Sequence, residues 1–425
     1  MPFSFIAGNM ILSINTILIF LSSIILFGKD VFRIKIYLLD KILFIFFILI
    51  IITGVINNFQ LYPIYKTWSL TVDMSAYQYF PIIIKSILFL KYLLLYIVLR
   101  FLTEKNLIQL KYFFIFSAVA SLFVCFDIFF QFVNGKDIFG YLATGRKLSG
   151  PFGDELIAGG FIQRFSLFSF FIIPLFYKEK LSKYLKFIIP ILFLIFFIGI
   201  VLSGNRMPII LFIFSICLIL LFQKQSRKFF LPFIIIFSLT FFLIFNFNKS
   251  VKDNFLNFYG QISQMATIVI NKDFNNVNSP QYLKEFYTFY DTWLINKYIG
   301  GGIKSFRYYC HKRANIDKSQ EFICNMHPHN YYLEILTETG LIGFILIFFI
   351  FTITLYITFI KKYFLNTRLK DNNIMIPFIF LFIVEIFPLK STGSFFTTGN
   401  ATYLFLIFGI LIGISRKYIS IENKT

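Results

Sequence analysis

The sequence is short of the residues on which soluble proteins rely. Only 14% of its 425 residues are charged, acidic side chains number 20 against 40 Lys and Arg, and there are three histidines, four cysteines and two tryptophans. A chain with so little charge and 58% hydrophobic residues is not a water-soluble domain. It contains no P-loop, no Gly-x-Ser-x-Gly, no His-Glu-x-x-His and no Cys-x-x-Cys, so the standard nucleotide, serine-hydrolase, zinc-protease and dithiol arrangements are missing. Residues 1–9 carry no Lys or Arg and no small-residue cleavage site follows, so the first apolar run is expected to stay as a membrane helix rather than be removed as a signal.

Apolar runs are abundant. A helix needs about 20 residues to cross roughly 30 Å of hydrocarbon, and runs near 10–27, 42–56, 80–99, 112–133, 157–177, 184–203, 207–222, 229–246, 341–360, 374–389 and 402–415 are candidates. The fold expected is an all-α integral membrane protein with about 11 transmembrane helices, 10 to 12, and one large extracytoplasmic loop carrying short helices. It divides into an N-terminal bundle of about eight helices at 1–246, the loop at 247–340 and C-terminal membrane helices at 341–425.

Net charge is +20, yet the basic residues form short blocks between spans rather than one aromatic-interleaved face, which argues against nucleic acid. The loops at 28–41, 100–111, 178–186, 223–228, 361–370 and 416–425 hold 21 Lys and Arg. The alternate loops at 57–79, 134–158, 203–206 and 389–401 hold one, three, one and one. By the positive-inside rule the first set is cytoplasmic, which puts the N-terminus and the long loop outside and the C-terminus inside.

Cys125 and Cys217 fall in spans and read as small apolar fillers. Cys310 and Cys324 fall in the exported loop, where they either pair or stay as two thiols; pairing would close about 15 residues for roughly 3 kcal/mol. Four ionisable residues, Lys85, Asp127, Arg164 and Glu385, share the outer half of the membrane on this orientation, and a Lys85–Asp127 pair is the simplest way to tolerate two of them. A transporter, such as a polysaccharide flippase, is the alternative reading. It would place such groups near the midplane, with internal repeats and no use for a long exported loop ending in histidine.

Two loops and one turn carry chemistry. Gly145 to Gly160 is glycine-rich and can aim amides and Arg146 at an anion, and Ser203-Gly204-Asn205-Arg206 puts an arginine at a helix start. Gly300-Gly301-Gly302 is followed by Lys304 and Arg307. Tyr282, Phe286, Phe289, Tyr290 and Trp293 form a stripe at helical spacing, read as a packing or interfacial face or as a platform for sugar rings. At the end of the loop, Pro328 suits a first helical turn, Asn330, Glu334 and Glu338 recur at i+4, and Gly340 suits a reversal or close packing before the next helix. His329 stands at the mouth of that short helix. His327, His329 and Glu334 do not match a standard metal spacing, so no metal or other cofactor is expected.

A histidine, several cations and aromatic surface beside a membrane suit glycan transfer from a lipid diphosphate. That reaction needs cations for the developing charge on the leaving diphosphate and a base for the acceptor hydroxyl. His329-Asn330-x-Tyr332-Leu333-Glu334-Ile335-Leu336-x-Glu338-x-Gly340-Leu341-Ile342-Gly343 resembles the signature of the O-antigen ligase and O-antigen polymerase family. Arg146-x-x-Ser149-Gly150-x-Phe152, Ser203-Gly204-Asn205-Arg206 and the glycine turn at 300–307 resemble further family features in the expected order, over roughly residues 110–360.

The resemblance implies an inverting, metal-independent glycosyltransferase of the bacterial inner membrane with its large loop in the periplasm. It implies an undecaprenyl-diphosphate-linked glycan as donor, and the lipid A core or another lipid-linked glycan as acceptor. His329 would be the base, and Arg146 and Arg206 would hold the diphosphate. Arg164, Lys304, Arg307, Asn330 and Glu334 join them here as candidate substrate-binding residues, from their depth and loop position. Members of the family look like twelve-span proteins with both ends cytoplasmic, which differs from the eleven spans read here.

Overall fold

The computed structural model describes residues 1–68, 81–143, 147–177, 184–247, 249–271, 280–312, 324, 329–365, 374–391 and 393–422. Among them the chain is helical and has no strand beyond isolated bridging at Lys136 and Leu142. The helices used below are α1 (Asn9–Phe27), α2 (Leu38–Trp68), α3 (Pro81–Glu104), α4 (Leu110–Asn134), α5 (Ala158–Phe165) and α6 (Ser169–Phe176). They continue with α7 (Leu185–Leu202), α8 (Arg206–Phe222), α9 (Phe230–Phe247), α10 (Lys249–Asn271), α11 (Gln281–Trp293), α12 (Tyr331–Leu355), α13 (Ile376–Glu385) and α14 (Thr398–Glu422).

Nine helical stretches among the described residues are long and apolar enough to cross a membrane; α12, continued through Phe364, is the longest at 34 residues. α8 and α13 are shorter apolar helices that fall where two of the eleven runs were expected. At ten residues α13 spans only about 15 Å and cannot cross by itself; it ends at the buried Glu385, with Pro388 just beyond.

The most enclosed span is α14, packed along α3. Its Gly409 and Gly413, four residues apart, make the approach possible. A methyl at Gly413 would lie 2.7 Å from the Thr103 Cβ and 2.8 Å from the Arg100 carbonyl. Small residues let helix backbones close on each other in lipid, where no hydrophobic force draws them together. Stacked rings extend the contact, with Tyr96 on Phe408 at 4.7 Å. A second seam joins α4 to α7, where the buried Cys125 faces Gly199.

α8 and α12 run the same way. Their far ends meet where the Tyr363 hydroxyl donates to the Phe222 carbonyl at 2.9 Å and Phe222 packs on Phe359. Their starts, with Arg206 and Tyr331, therefore share the other end of the bundle.

Candidate active site

Asn330 opens α12. Its side-chain oxygen accepts from the amides of Tyr332 (2.9 Å) and Leu333 (3.2 Å), and its amide group donates to the Pro388 carbonyl at 2.7 Å. The cap fixes the entry angle of the chain, and His329, half-buried, sits one residue outside it. After two and a half turns the helix breaks at Gly340, whose φ of 67° and ψ of −172° lie outside helical space.

The break is filled by the glycine turn. Gly301 and Gly302 donate to the carbonyls of Thr337 and Glu338, while Leu341 and Ile342 donate to those of Lys297 and Tyr298. Orphan carbonyls and amides of the two half-helices are thus satisfied by one crossing segment. Both sides need glycine: a methyl at Gly340 would meet the Tyr298 carbonyl oxygen at 2.3 Å, and one at Gly300 would meet the backbone of Glu338 to Gly340 at 2.4 Å. The turn is in turn fastened to α2, since Asn57 donates to the Gly300 carbonyl (3.0 Å) and accepts from the Tyr309 hydroxyl (2.7 Å).

Beneath His329 lies a buried charged network. Arg164 makes two bonds to Glu385, at 2.8 and 3.2 Å, and one to the Asn400 side-chain oxygen at 2.6 Å. Tyr331 and Lys390 both donate to the same Glu385 oxygen, each at 2.6 Å. Burial pulls the Lys390 ammonium down to about 8; Glu385 acts to raise it and Arg164 lowers it further. A second group joins it: Glu334, fully buried, accepts from Ser394 and Lys304 at one oxygen and from the Phe395 amide at the other. Lys304 holds this position in the left-handed region, φ 64°, uncommon outside glycine. Glu338 lies near the like-charged Glu334 and the cations Lys304, Arg307 and Lys85.

The arginine loops come together as well. Asn205, in the turn before α8, donates to the Leu156 carbonyl at 3.0 Å, and a methyl at Gly159 would touch Ser203. The glycine-rich loop is pinned to α4 by Gln131, which accepts from the Gly150 amide at 2.9 Å. Arg206 reaches over the ring of Phe258 in α10, 5.4 Å from its centre. Arg146 and His327 lie outside the described residues.

Other expectations resolve differently. Lys85 and Asp127 form no ion pair: an oxygen of Asp127 accepts from the Ile138 amide, while the charges that act on Lys85 are those of Arg307, Glu338 and Lys304. Cys310 and Cys324 are bonded, with Cα atoms 5.8 Å apart. The aromatic stripe splits; Phe289 is buried and stacks on Phe306 at 3.9 Å, while Phe286 and Tyr290 stay exposed. Tyr282's side chain lies outside the described residues. Among the described residues no three His, Cys, Asp or Glu side chains gather as a metal site. Tyr331, Lys390, Ser394 and Asn400 were missed. Lys390 was visible as the lone cation of its loop, but nothing in the sequence joins it to Arg164.

No curated protein matches the chain. Residues 191–348 match the family model described as O-Antigen ligase, which runs from α7 through the long loop and past the break in α12. The match covers a little over a third of the chain and supports a likeness to the O-antigen ligase and polymerase family.

Proposed function

We propose that this protein transfers an oligosaccharide or polysaccharide from an undecaprenyl-diphosphate carrier to an acceptor at the periplasmic face of the inner membrane. The observation that carries the reading is the capped start of α12, which holds His329 beside a loop and network rich in cations, within the stretch that matches the family. His329 takes the proton of the acceptor hydroxyl as its oxygen attacks the anomeric carbon. The bond from that carbon to the diphosphate breaks, and the diphosphate leaves with the electron pair, inverting the centre. Arg206 and Arg146 neutralise the departing charge, with Arg307 on the neighbouring loop. Positioned cations and a base complete this chemistry without a metal.

Asn330, Glu334 and Lys304 act by shape in this reading. Their polar groups are engaged by Pro388, Ser394 and Phe395, so they hold the cap, the loop 386–397 and the glycine turn in register. Arg164 does the same through Glu385 and Asn400.

The test is a gel of surface glycans and lipid-linked intermediates from cells lacking the protein, complemented with wild type or His329→Ala. The variant is expected in the membrane at wild-type level with transfer abolished; normal glycan output would sink the mechanism. Long chains accumulating on the carrier over a bare lipid A core identify a ligase. Single repeat units on carrier and core alike identify a polymerase.

A further inference from the structure

At the end of the bundle opposite Arg206, the helices α6, α7, α8 and α9 line a partly open cavity of about 220 Å³. Three of its walls contain a proline: Pro174 in α6, Pro190 in α7 and Pro232 in the first turn of α9. Inside a helix a proline removes one backbone hydrogen bond and pushes the chain off the carbonyl four residues earlier. Pro174 and Pro190 sit inside two adjoining helices, and both border this space. Most of the lining is apolar, as at Phe170, Phe193, Ile219 and Ile376.

One edge differs. Gln223, Ser226 and Lys228, from the short turn between α8 and α9, border the same space. Ser226 donates to the Gln223 side-chain oxygen at 3.3 Å, and the exposed Lys228 ammonium lies 5.2 Å over the Phe229 ring. A cavity of roughly 150 Å³ with apolar walls stays dry and accepts a small hydrocarbon, so this one has room for several methylenes. One wall is α9, a little-buried span whose Leu231, Ile235 and Leu239 are exposed on its other side.

We infer that this cavity holds one acyl chain of an anionic phospholipid whose phosphate sits against Lys228, Ser226 and Gln223. The polar edge decides the occupant. A carrier lipid engaged at the histidine end would bring only the tip of its hydrocarbon here, and an amide, a hydroxyl and an ammonium would be wasted on it. A phospholipid of the leaflet at this end has its charge at the depth of that edge and its chain at the depth of the cavity. The block at 223–228, with three basic residues in six, adds attraction for an anionic headgroup.

The test uses the full chain in lipid nanodiscs containing phosphatidylglycerol or phosphatidylcholine with a photoactivatable group on one acyl chain, and crosslinks mapped by peptide mass spectrometry. The phosphatidylglycerol probe is expected to label residues 216–236 several-fold more than the phosphatidylcholine probe. Leu220→Trp with Ile236→Trp, which fills the cavity, should cut that labelling at least roughly ten-fold by excluding methylenes. Lys228→Gln, at a surface position, should erase the preference for phosphatidylglycerol and leave glycan transfer unchanged. Labelling spread evenly around the bundle, a preference indifferent to Lys228→Gln, or displacement of the label by a polyprenyl phosphate would each overturn the inference.

Discussion

Lys390 is buried between a carboxylate that holds its proton and a guanidinium that repels it. In the folded protein the proton leaves as pH rises through about 8, whereas an unfolded chain keeps it until the usual 10.5. Between those values the unfolded state binds more protons, so this group makes stability rise with pH, and that contribution is withdrawn as pH falls through about 8. The thermal midpoint of purified protein is expected to carry such a rise between pH 8 and 10, and Lys390→Met should flatten it; an unchanged profile in the variant would mean that Lys390 titrates normally. Glu385→Gln, which strips the shared partner of the buried Lys390 and the half-buried Arg164, should cost about 3–5 kcal/mol in the same assay. A short helix beside His329 was legible because its polar stripe is local, although Asn330 caps that helix rather than lying within it and answers to amides two and three residues on. The network was not, since Arg164 and Asn400 are 236 positions apart and no periodicity links them.

At the scale of elements, the crossing of the glycine turn through α12 is the feature most exposed to small changes. Gly340→Ala adds a methyl where backbone already stands at 2.3 Å and imposes a positive φ on a side chain. A loss of at least about 2 kcal/mol is expected, seen as a lower midpoint or as aggregate in fluorescence-detected size-exclusion. Gly260→Ala, in α10 with open space around it, should behave as wild type and serves as the control. The Cys310–Cys324 bond closes the segment between the turn and the histidine, and the double Ser variant should lose about 3 kcal/mol and the mobility shift on a non-reducing gel. A break at Gly340 could be read from the sequence; its filler could not, because Lys297 to Gly302 is as plausible a surface turn as an internal splice.

Across the whole molecule, charge counting gave an orientation that fusions can check. Alkaline phosphatase joined after Lys312 should be active and a fluorescent protein at the C-terminus should glow; the reverse would invert every loop. Apolar runs located the helices well, since burial in lipid asks only for composition and length. Among the described residues, length then separated nine full spans from the shorter α8 and α13, because a run such as 374–389 does not reveal that its helix stops at a buried Glu385. The pairing of α14 with α3 escaped the reading too, although Gly409 and Gly413 stood in view. One consequence concerns the bilayer itself. Residues 331–339 and the first residues of the span that follows are both bolted to the segment 297–302, which Asn57 of α2 holds in turn. A thicker or thinner membrane tilts spans to match their hydrophobic length, and tilt of residues 341–364 or of α2 would pass through those shared bonds to residues 331–339. His329 thus rides on the spans like a pointer on a lever, and turnover in nanodiscs of short- and long-chain lipid should differ.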